Sequence, residues 1–171
     1  MNFSPRRILI RVDGSKEIGL GHVYNMITVL HSFKKDSLLI VMQKNSKLGA
    51  NKFLKFNIPV KYFNEMESLE KIIKKFKPEI IFNDTLNTNK NYTKKLKNLC
   101  PILINFEDLG AGRKNADLVF NPIYYDKNSA REFYGHKFAC VRDEFRVSKI
   151  PKIKKNVKKI AITFGGTDPT D

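Results

Sequence analysis

The chain has 171 residues, which is enough for one hydrophobic core of ordinary domain size. Hydrophobic residues make up 42% and charged residues 29% of the sequence, a balance typical of a soluble globular domain and not of a disordered chain. Lys and Arg exceed Asp and Glu by 32 to 17, which gives a formal net charge of +15, and no apolar run approaches the ~20 residues of a membrane span.

Apolar segments of strand length alternate with segments of helical periodicity. The predicted strands are at residues 8–12, 37–42, 59–62, 79–82, 102–106, 118–120 and 137–141. The predicted helices are at residues 22–33, 46–56, 66–76 and 90–99. Because the strands carry consecutive apolar residues and are separated by helices, we expect them to be buried on both faces of a parallel sheet. The sequence therefore predicts a doubly wound, Rossmann-like α/β fold.

A polar, basic linker at residues 149–158 divides the predicted organisation. Residues 1–148 form the Rossmann-like domain. Residues 159–171 begin with an apolar strand at 159–164 and continue into a Gly-rich turn expected to open a helix. We interpret 159–171 as the start of a truncated C-terminal domain whose remainder is missing. Its strand therefore has no native sheet to join and is not expected to insert into the sheet of the first domain.

The positive charge is spread along the chain in small lysine groups that are typical of solvated helix faces and linkers. Lysine outnumbers arginine, and no motif combines basic and aromatic residues for stacking on bases. This pattern argues against nucleic acid as the partner, whereas a positive field that attracts anionic nucleotide sugars fits it. The N-terminal residues lack the apolar centre of a signal peptide, so we expect a cytoplasmic protein. Cys100 and Cys140 lack metal-ligand spacing and are expected to be free, mostly buried thiols.

The loop after the first strand carries a group of glycine and polar residues, namely Asp13, Gly14, Gly19, Gly21 and His22. Ligands of parallel α/β sheets bind at the carboxyl ends of the strands, and glycines there let the backbone approach a ligand closely. His22 is expected in the first turn of the next helix, whose positive end would lower the imidazole pKa and keep the ring neutral. A neutral histidine at this place is a candidate general base for activating water.

An alternative for this loop stays open, because a tight turn followed by a histidine without chemistry has the same pattern. The spacing is also not that of a dinucleotide-binding G-x-G-x-x-G loop, since Tyr24 stands where the third glycine would be.

Polar residues follow later strands as well, and the parallel topology places them at the same edge as His22. The candidate substrate-binding residues are Asp84 and Thr85, Asp108, and Asn121. Asp84 is expected to orient His22 or to bind a sugar hydroxyl, and either Asp13 or Asp84 would fix the tautomer of His22. Each of these residues also fits an ordinary cap or turn.

The Gly-rich turn near the end of the chain is a candidate phosphate site. Its residues are Gly165, Gly166 and Thr167. Consecutive glycines between a strand and a helix present backbone N–H groups to phosphate oxygens, although an ordinary strand-to-helix turn has the same composition.

Several segments, taken in chain order, resemble one family. They are Arg11-Val-Asp-Gly14, Ile18-Gly-Leu-Gly-His22, residues 81–84, Phe106-Glu-Asp108, Ala116-Asp-Leu-Val-Phe-Asn121, Val141-Arg-Asp-Glu-Phe145 and Phe164-Gly-Gly-Thr-Asp168. With these segments the chain resembles the nucleotide-sugar hydrolases of pseudaminic acid biosynthesis, which cleave UDP-2,4-diacetamido-2,4,6-trideoxy-β-L-altropyranose. It is also similar to their relatives known as spore-coat polysaccharide proteins.

The resemblance implies the N-terminal half of a GT-B fold, a UDP-sugar substrate, and neither a metal nor a cofactor. It implies that His22 activates the water that displaces UDP at the anomeric carbon. The UDP contacts would lie mostly in the C-terminal domain, of which this chain would contain only Gly165, Gly166 and Thr167. In one respect the chain departs from the family, because Thr85-Leu86 stands where the hydrolases have an aromatic Tyr, which leaves the contact to the sugar ring unassigned.

Three functions are therefore compared. A nucleotide-sugar hydrolase is favoured. The second is a GT-B glycosyltransferase in which His22 deprotonates an acceptor hydroxyl, and the third is a non-catalytic or nucleic-acid-binding domain. The chain by itself is expected to fold without turning over substrate, because the nucleotide-binding half is missing.

Overall fold

A seven-stranded parallel sheet forms the centre of the computed structural model, which describes residues 5–149, 156 and 158–162. The strands are β1 (Arg7–Val12), β2 (Ser37–Gln43), β3 (Val60–Phe63), β4 (Ile80–Asp84), β5 (Ile102–Phe106), β6 (Leu118–Asn121) and β7 (Glu132–Tyr134). Their order across the sheet is β3-β2-β1-β4-β5-β6-β7. The chain moves outward from β1 to β3, returns to β4 on the other side of β1, and moves outward again. This doubly wound order confirms the predicted Rossmann-like fold.

Helices cover both faces of the sheet. They are α1 (Gly21–Leu30), α2 (Lys47–Leu54), α3 (Met66–Phe76), α4 (Lys90–Leu99) and α5 (Asp143–Arg146), with 3-10 turns at His31–Phe33, Ala111–Asn115 and His136–Phe138. Within the described residues, no helix combines the length and the apolar composition needed to cross a bilayer.

Two apolar cores result from the alternation of side chains along each strand. One core joins the sheet to α1 and α2, and includes Ile8, Ile10, Val23, Met26, Phe53 and Phe82. The other joins the opposite face to α3 and α4, and includes Leu9, Leu69, Ile73, Ile81, Leu96 and Leu103. Residues at even-numbered positions of β4 therefore point toward α1, which places Asp84 on that side.

The buried stripe of α1 fixes which of its residues border the sheet edge. Val23, Met26, Ile27 and Leu30 recur at helical spacing and are buried. This packing directs the flank that carries His22 and Asn25 toward the ends of β4 and β5, where both side chains make contacts.

The strands around α1 also end at the same level. Val12 of β1 pairs with Asp84 of β4, and Asp84 pairs with Phe106 of β5. The residues that follow these strands consequently share one edge of the sheet, as predicted.

One predicted strand is wrong. Residues 137–141 contain a 3-10 turn and irregular chain, and the strand lies earlier, at Glu132–Tyr134. Phe133 pairs with Phe120 of β6 and stacks on its ring at 5.2 Å between centroids. Gly135, with a φ of 97°, then turns the chain away from the sheet, so that the strand ends before residue 137.

The predicted terminal strand falls only partly within the described residues. Residues 158–162 form no strand, and Ile160 and Ile162 are 82% and 78% exposed. Residues 163–171, with Gly165, Gly166 and Thr167, lie outside the described residues. The domain boundaries and the phosphate loop therefore stay predictions.

Candidate active site

His22 and Asp84 form a hydrogen-bonded pair at the carboxyl edge of the sheet. His22 lies in the first turn of α1, and Asp84 is the last residue of β4. The distance from His22 Nδ1 to Asp84 Oδ1 is 2.7 Å. The pair lies between β1 and β4, where the strand order reverses, and this is the place where open α/β sheets bind ligands.

The second ring nitrogen of His22 is available for chemistry. In the described part of the chain, Nε2 has no hydrogen-bond partner, and the side chain is 13% exposed. An ionised Asp84 accepts a hydrogen bond from the Nδ1–H group, which fixes the tautomer and leaves the lone pair of Nε2 free. A histidine oriented in this way by a carboxylate is able to take a proton from a bound nucleophile.

The electrostatics of His22 differ from the prediction. The hydrogen bond to Asp84 raises the pKa of His22 above its ordinary value, and the charges of Asp84, Glu107 and Asp13 add to this effect, while burial opposes it. The expectation that the helix N-terminus lowers this pKa is wrong, because a full carboxylate charge at 2.7 Å outweighs the partial charge of a helix end. His22 therefore becomes neutral, and able to act as a base, at a higher pH than a free histidine does.

Asp84 is nearly inaccessible to solvent. Burial raises the pKa of its carboxyl group to about 6, and the hydrogen bond from His22 counteracts part of that rise. Its second oxygen, Oδ2, is buried and has no hydrogen-bond partner among the described residues. The protonation of Asp84 and His22 is consequently linked, since each side chain is the main polar neighbour of the other.

Two further residues of this cluster, Asn25 and Glu107, were not among the named candidate site residues. Asn25 Nδ2 donates a hydrogen bond of 3.0 Å to Glu107 Oε1, and Glu107 Oε2 lies 3.7 Å from His22 Nδ1. The position of Asn25, three residues after His22 on a helix, puts both on one flank and was a usable signal. Glu107 directly follows β5, as Asp84 ends β4, so the sequence also pointed to its position at this edge.

The three glycines of the loop have different roles. A Cβ at Gly14 would lie 2.5 Å from Val23 Cγ2, so this glycine permits close packing of the loop on α1. Gly19, with a φ of 81°, closes the turn in which its N–H donates to the carbonyl of Ser15 at 2.9 Å. A Cβ at Gly21 would meet nothing within 4 Å, which leaves open space directly beside His22.

Asp13 is held inside the protein. Its Oδ2 accepts a hydrogen bond from Arg11 at 2.6 Å, and its Oδ1 accepts from the Gln43 N–H at 2.8 Å and from Ser46 Oγ at 3.1 Å. These bonds join the end of β1 to the last residue of β2 and to the loop that follows it. Of the two candidates for fixing the His22 tautomer, the structure therefore selects Asp84.

Asp108 occupies a different position from the predicted one. It is fully buried, and its oxygens accept hydrogen bonds from the Thr88 N–H and hydroxyl, Asn105 Nδ2 and the Gly110 N–H. Asn121 is also buried and donates to the backbone carbonyl of Asp108 at 3.3 Å. Asp108 therefore holds the loops after β4 and β5 together, and Asn121 joins the end of β6 to the loop after β5.

Thr85 also points away from His22. Its hydroxyl donates to Asn83 Oδ1 at 3.3 Å, and the same oxygen accepts a bond of 2.8 Å from the Tyr92 hydroxyl of α4. Thr85 therefore belongs to a polar network on the opposite face of the sheet from α1.

Cys140 borders the site but is poorly suited to be a nucleophile. Burial, with a contribution from the charges of Asp84 and Glu107, raises the pKa of its thiol to about 11. The thiolate, which is the reactive form, is therefore scarce near neutral pH. In the described part of the chain, no three His, Cys, Asp or Glu side chains are arranged as a metal site.

The chain is similar in sequence to an archaeal protein. The chain is 30% identical over 182 aligned residues to the uncharacterized protein MJ1062 of Methanocaldococcus jannaschii. The alignment covers 96% of this chain but 38% of that protein, so the chain spans well under half of its relative's length. No family model matches the chain.

A solved structure from Streptomyces avermitilis, which bears the name of a HAD family hydrolase, overlaps this chain in part. The TM-score is 0.48 at 14% sequence identity, over 70% of this chain and 82% of the other. A similarity of this size carries no argument about function.

Proposed function

We propose that the chain is the N-terminal, base-bearing half of a nucleotide-sugar hydrolase with the two-domain GT-B fold. The proposed enzyme releases UDP from an amino or deoxy sugar. It would act in the biosynthesis of a nonulosonic acid of the pseudaminic type or of a surface polysaccharide. The observation that carries the proposal is the 2.7 Å bond between His22 Nδ1 and Asp84 Oδ1 at the reversal point of the sheet, with Nε2 free. The substrate class is proposed from the family resemblance of the sequence motifs, which occur in the same order along this chain.

The proposed reaction is a displacement at the anomeric carbon. Nε2 of His22 takes one proton from water, and the water oxygen forms a bond to that carbon. The bond between the carbon and the phosphate oxygen of UDP breaks, and UDP leaves with the electron pair. The imidazolium then returns its proton to solvent, so that one water is consumed and free sugar and UDP are formed.

Two features of the site agree with this chemistry. A Cβ at Gly21, the residue before His22, would meet nothing within 4 Å, so the backbone beside His22 is open. The net charge of +15 favours the approach of an anionic nucleotide sugar. In this proposal the nucleotide itself is bound by a C-terminal domain, and the resemblance assigns Gly165, Gly166 and Thr167 to its phosphates.

The test uses the protein at its full natural length with a panel of UDP-, CMP- and GDP-sugars. Free sugar and free nucleotide are measured in the absence of any acceptor, with His22→Asn as the matched control. The hydrolase is supported if the wild type releases sugar and nucleotide without an acceptor and His22→Asn does not. Release that requires an added acceptor hydroxyl would replace it with a glycosyltransferase in which His22 deprotonates that hydroxyl. No turnover, together with salt-sensitive binding of nucleic acid, would overturn both enzymes.

A further inference from the structure

The backbone of Glu107 has a conformation that side chains rarely adopt. Its φ is 50°, in the left-handed region, where a residue with a Cβ is strained. Among the described residues, Asn57, Lys77 and Asn87 share this feature. Asparagine tolerates the left-handed region, and Lys77 ends α3, where such a conformation is common. Glu107 has neither explanation, and strain of this kind is found at functional sites.

The strained turn separates two adjacent carboxylates. Asp108 points into the buried loop contacts, whereas the Glu107 carboxylate points toward α1. There Asn25 donates to its Oε1 at 3.0 Å, and its Oε2 comes within 3.7 Å of His22 Nδ1. The Glu107 side chain is 13% exposed, so water screens this charge only in part.

His22 consequently faces negative groups from three elements. Asp84 lies at the end of β4, Glu107 follows β5, and Asp13 follows β1. Cys140 lies near the Asp84 and Glu107 charges, and its thiol stays protonated near neutral pH because burial, with a contribution from these charges, raises its pKa to about 11. When His22 takes a proton, the ring gains one positive charge. The Asp84 carboxylate supplies one negative charge beside the ring, and the Glu107 carboxylate supplies a second.

We propose that Glu107 is a positioning residue of the His22 base, whose carboxylate stabilises the imidazolium formed when Nε2 takes a proton. Asn25 holds this carboxylate in place. The effect of Glu107 on catalysis rests on the proposed function. Its electrostatic effect on the titration of His22 does not, and is measured separately.

The experiment is an NMR titration of the His22 ring in the 171-residue chain, in wild type and in Glu107→Gln. The signal is assigned by its loss in His22→Asn. Glutamine keeps the shape and an oxygen that accepts from Asn25, but removes the charge. The ratio of charged to neutral His22 at a given pH should fall about fivefold, which is what a unit charge at this distance supplies even with the screening of water.

The matched control is Glu67→Gln. Glu67 is exposed on α3, on the other face of the sheet, and its replacement removes the same charge from the protein. This variant should leave the His22 titration unchanged. Glu107→Asn is a second uncharged variant, and it should fold at least as well because asparagine tolerates a positive φ.

An unchanged His22 titration in folded Glu107→Gln or Glu107→Asn would overturn the proposal. If the titration shifts as expected while no nucleotide sugar is hydrolysed by the full-length wild type, the role of Glu107 stands and the proposed function fails. If both hold, Glu107→Gln should also move the acidic limb of kcat/KM to lower pH and reduce kcat, with little change in KM.

Discussion

Replacing Asp108 with alanine should strongly destabilise the fold. The side chain accepts four hydrogen bonds in a fully buried position, from the Thr88 N–H and hydroxyl, Asn105 and the Gly110 N–H. A buried donor left without a partner costs about 1–3 kcal/mol. The hydroxyl and the amide can rotate toward other acceptors, but the two backbone N–H groups are fixed. We therefore expect a loss of about 3–5 kcal/mol, a large part of the ~5–15 kcal/mol that stabilises a typical domain.

Urea unfolding of the 171-residue chain, followed by circular dichroism, measures this loss directly. The midpoint should fall while the slope with denaturant is retained. The melting temperature should fall by roughly 10 °C, since each kcal/mol shifts it by about 2–4 °C at this size. Asp126→Ala is the control, because Asp126 is exposed and its replacement should change stability by less than about 0.5 kcal/mol. Equal stability of the two variants would refute the buried role of Asp108 and restore it as a candidate substrate ligand.

Three further predictions concern the same edge of the sheet. Gly110→Ala should cost about 1–3 kcal/mol in urea unfolding, because a Cβ there would overlap the backbone of Asn87 and Thr88, whereas Gly21→Ala should be tolerated since its Cβ meets nothing; equal losses would contradict this packing. Asp84→Asn removes the carboxylate that raises the pKa of His22 most, so the acidic limb of kcat/KM should move to lower pH and kcat should fall roughly 10²–10⁴-fold, and an unmoved limb would show that Asp84 does not act on His22. Alkylation of Cys140 by iodoacetamide, followed by mass spectrometry, should be slow at pH 8 and accelerate toward pH 11; rapid reaction at pH 8 would contradict its raised pKa.

Most of the fold was predictable because its strands are buried on both faces. Consecutive apolar residues in β1, β2, β4 and β5 distinguish such strands from amphipathic segments without any knowledge of their neighbours. β7 was missed because it has three residues at the edge of the sheet, including a glutamate, and is fixed by the stacking of Phe133 on Phe120. The contact joins β7 to β6, and neither segment's sequence indicates by itself that it pairs with the other.

The candidate site was predictable in location but not in detail. Parallel topology brings His22 and Asp84 to one edge, and their pairing was among the expectations. The assignment of Asp108 instead of Glu107 failed because the backbone turn at Glu107, not the residue type, decides which carboxylate faces α1. The pKa of His22 was predicted in the wrong direction for a related reason, since a helix end is a local feature and a carboxylate from β4 is a tertiary one.

The most direct test of the His22 base is the turnover of His22→Asn in the full-length protein, with the nucleotide sugar that the wild type hydrolyses. The side chain lies outside both apolar cores, so the variant should still fold. Its kcat should fall roughly 10²–10⁴-fold, the usual contribution of a positioned base, with little change in KM. A variant that keeps near-wild-type kcat but unfolds more easily would show that His22 is a structural residue of the helix start, and would contradict the catalytic role assigned to it.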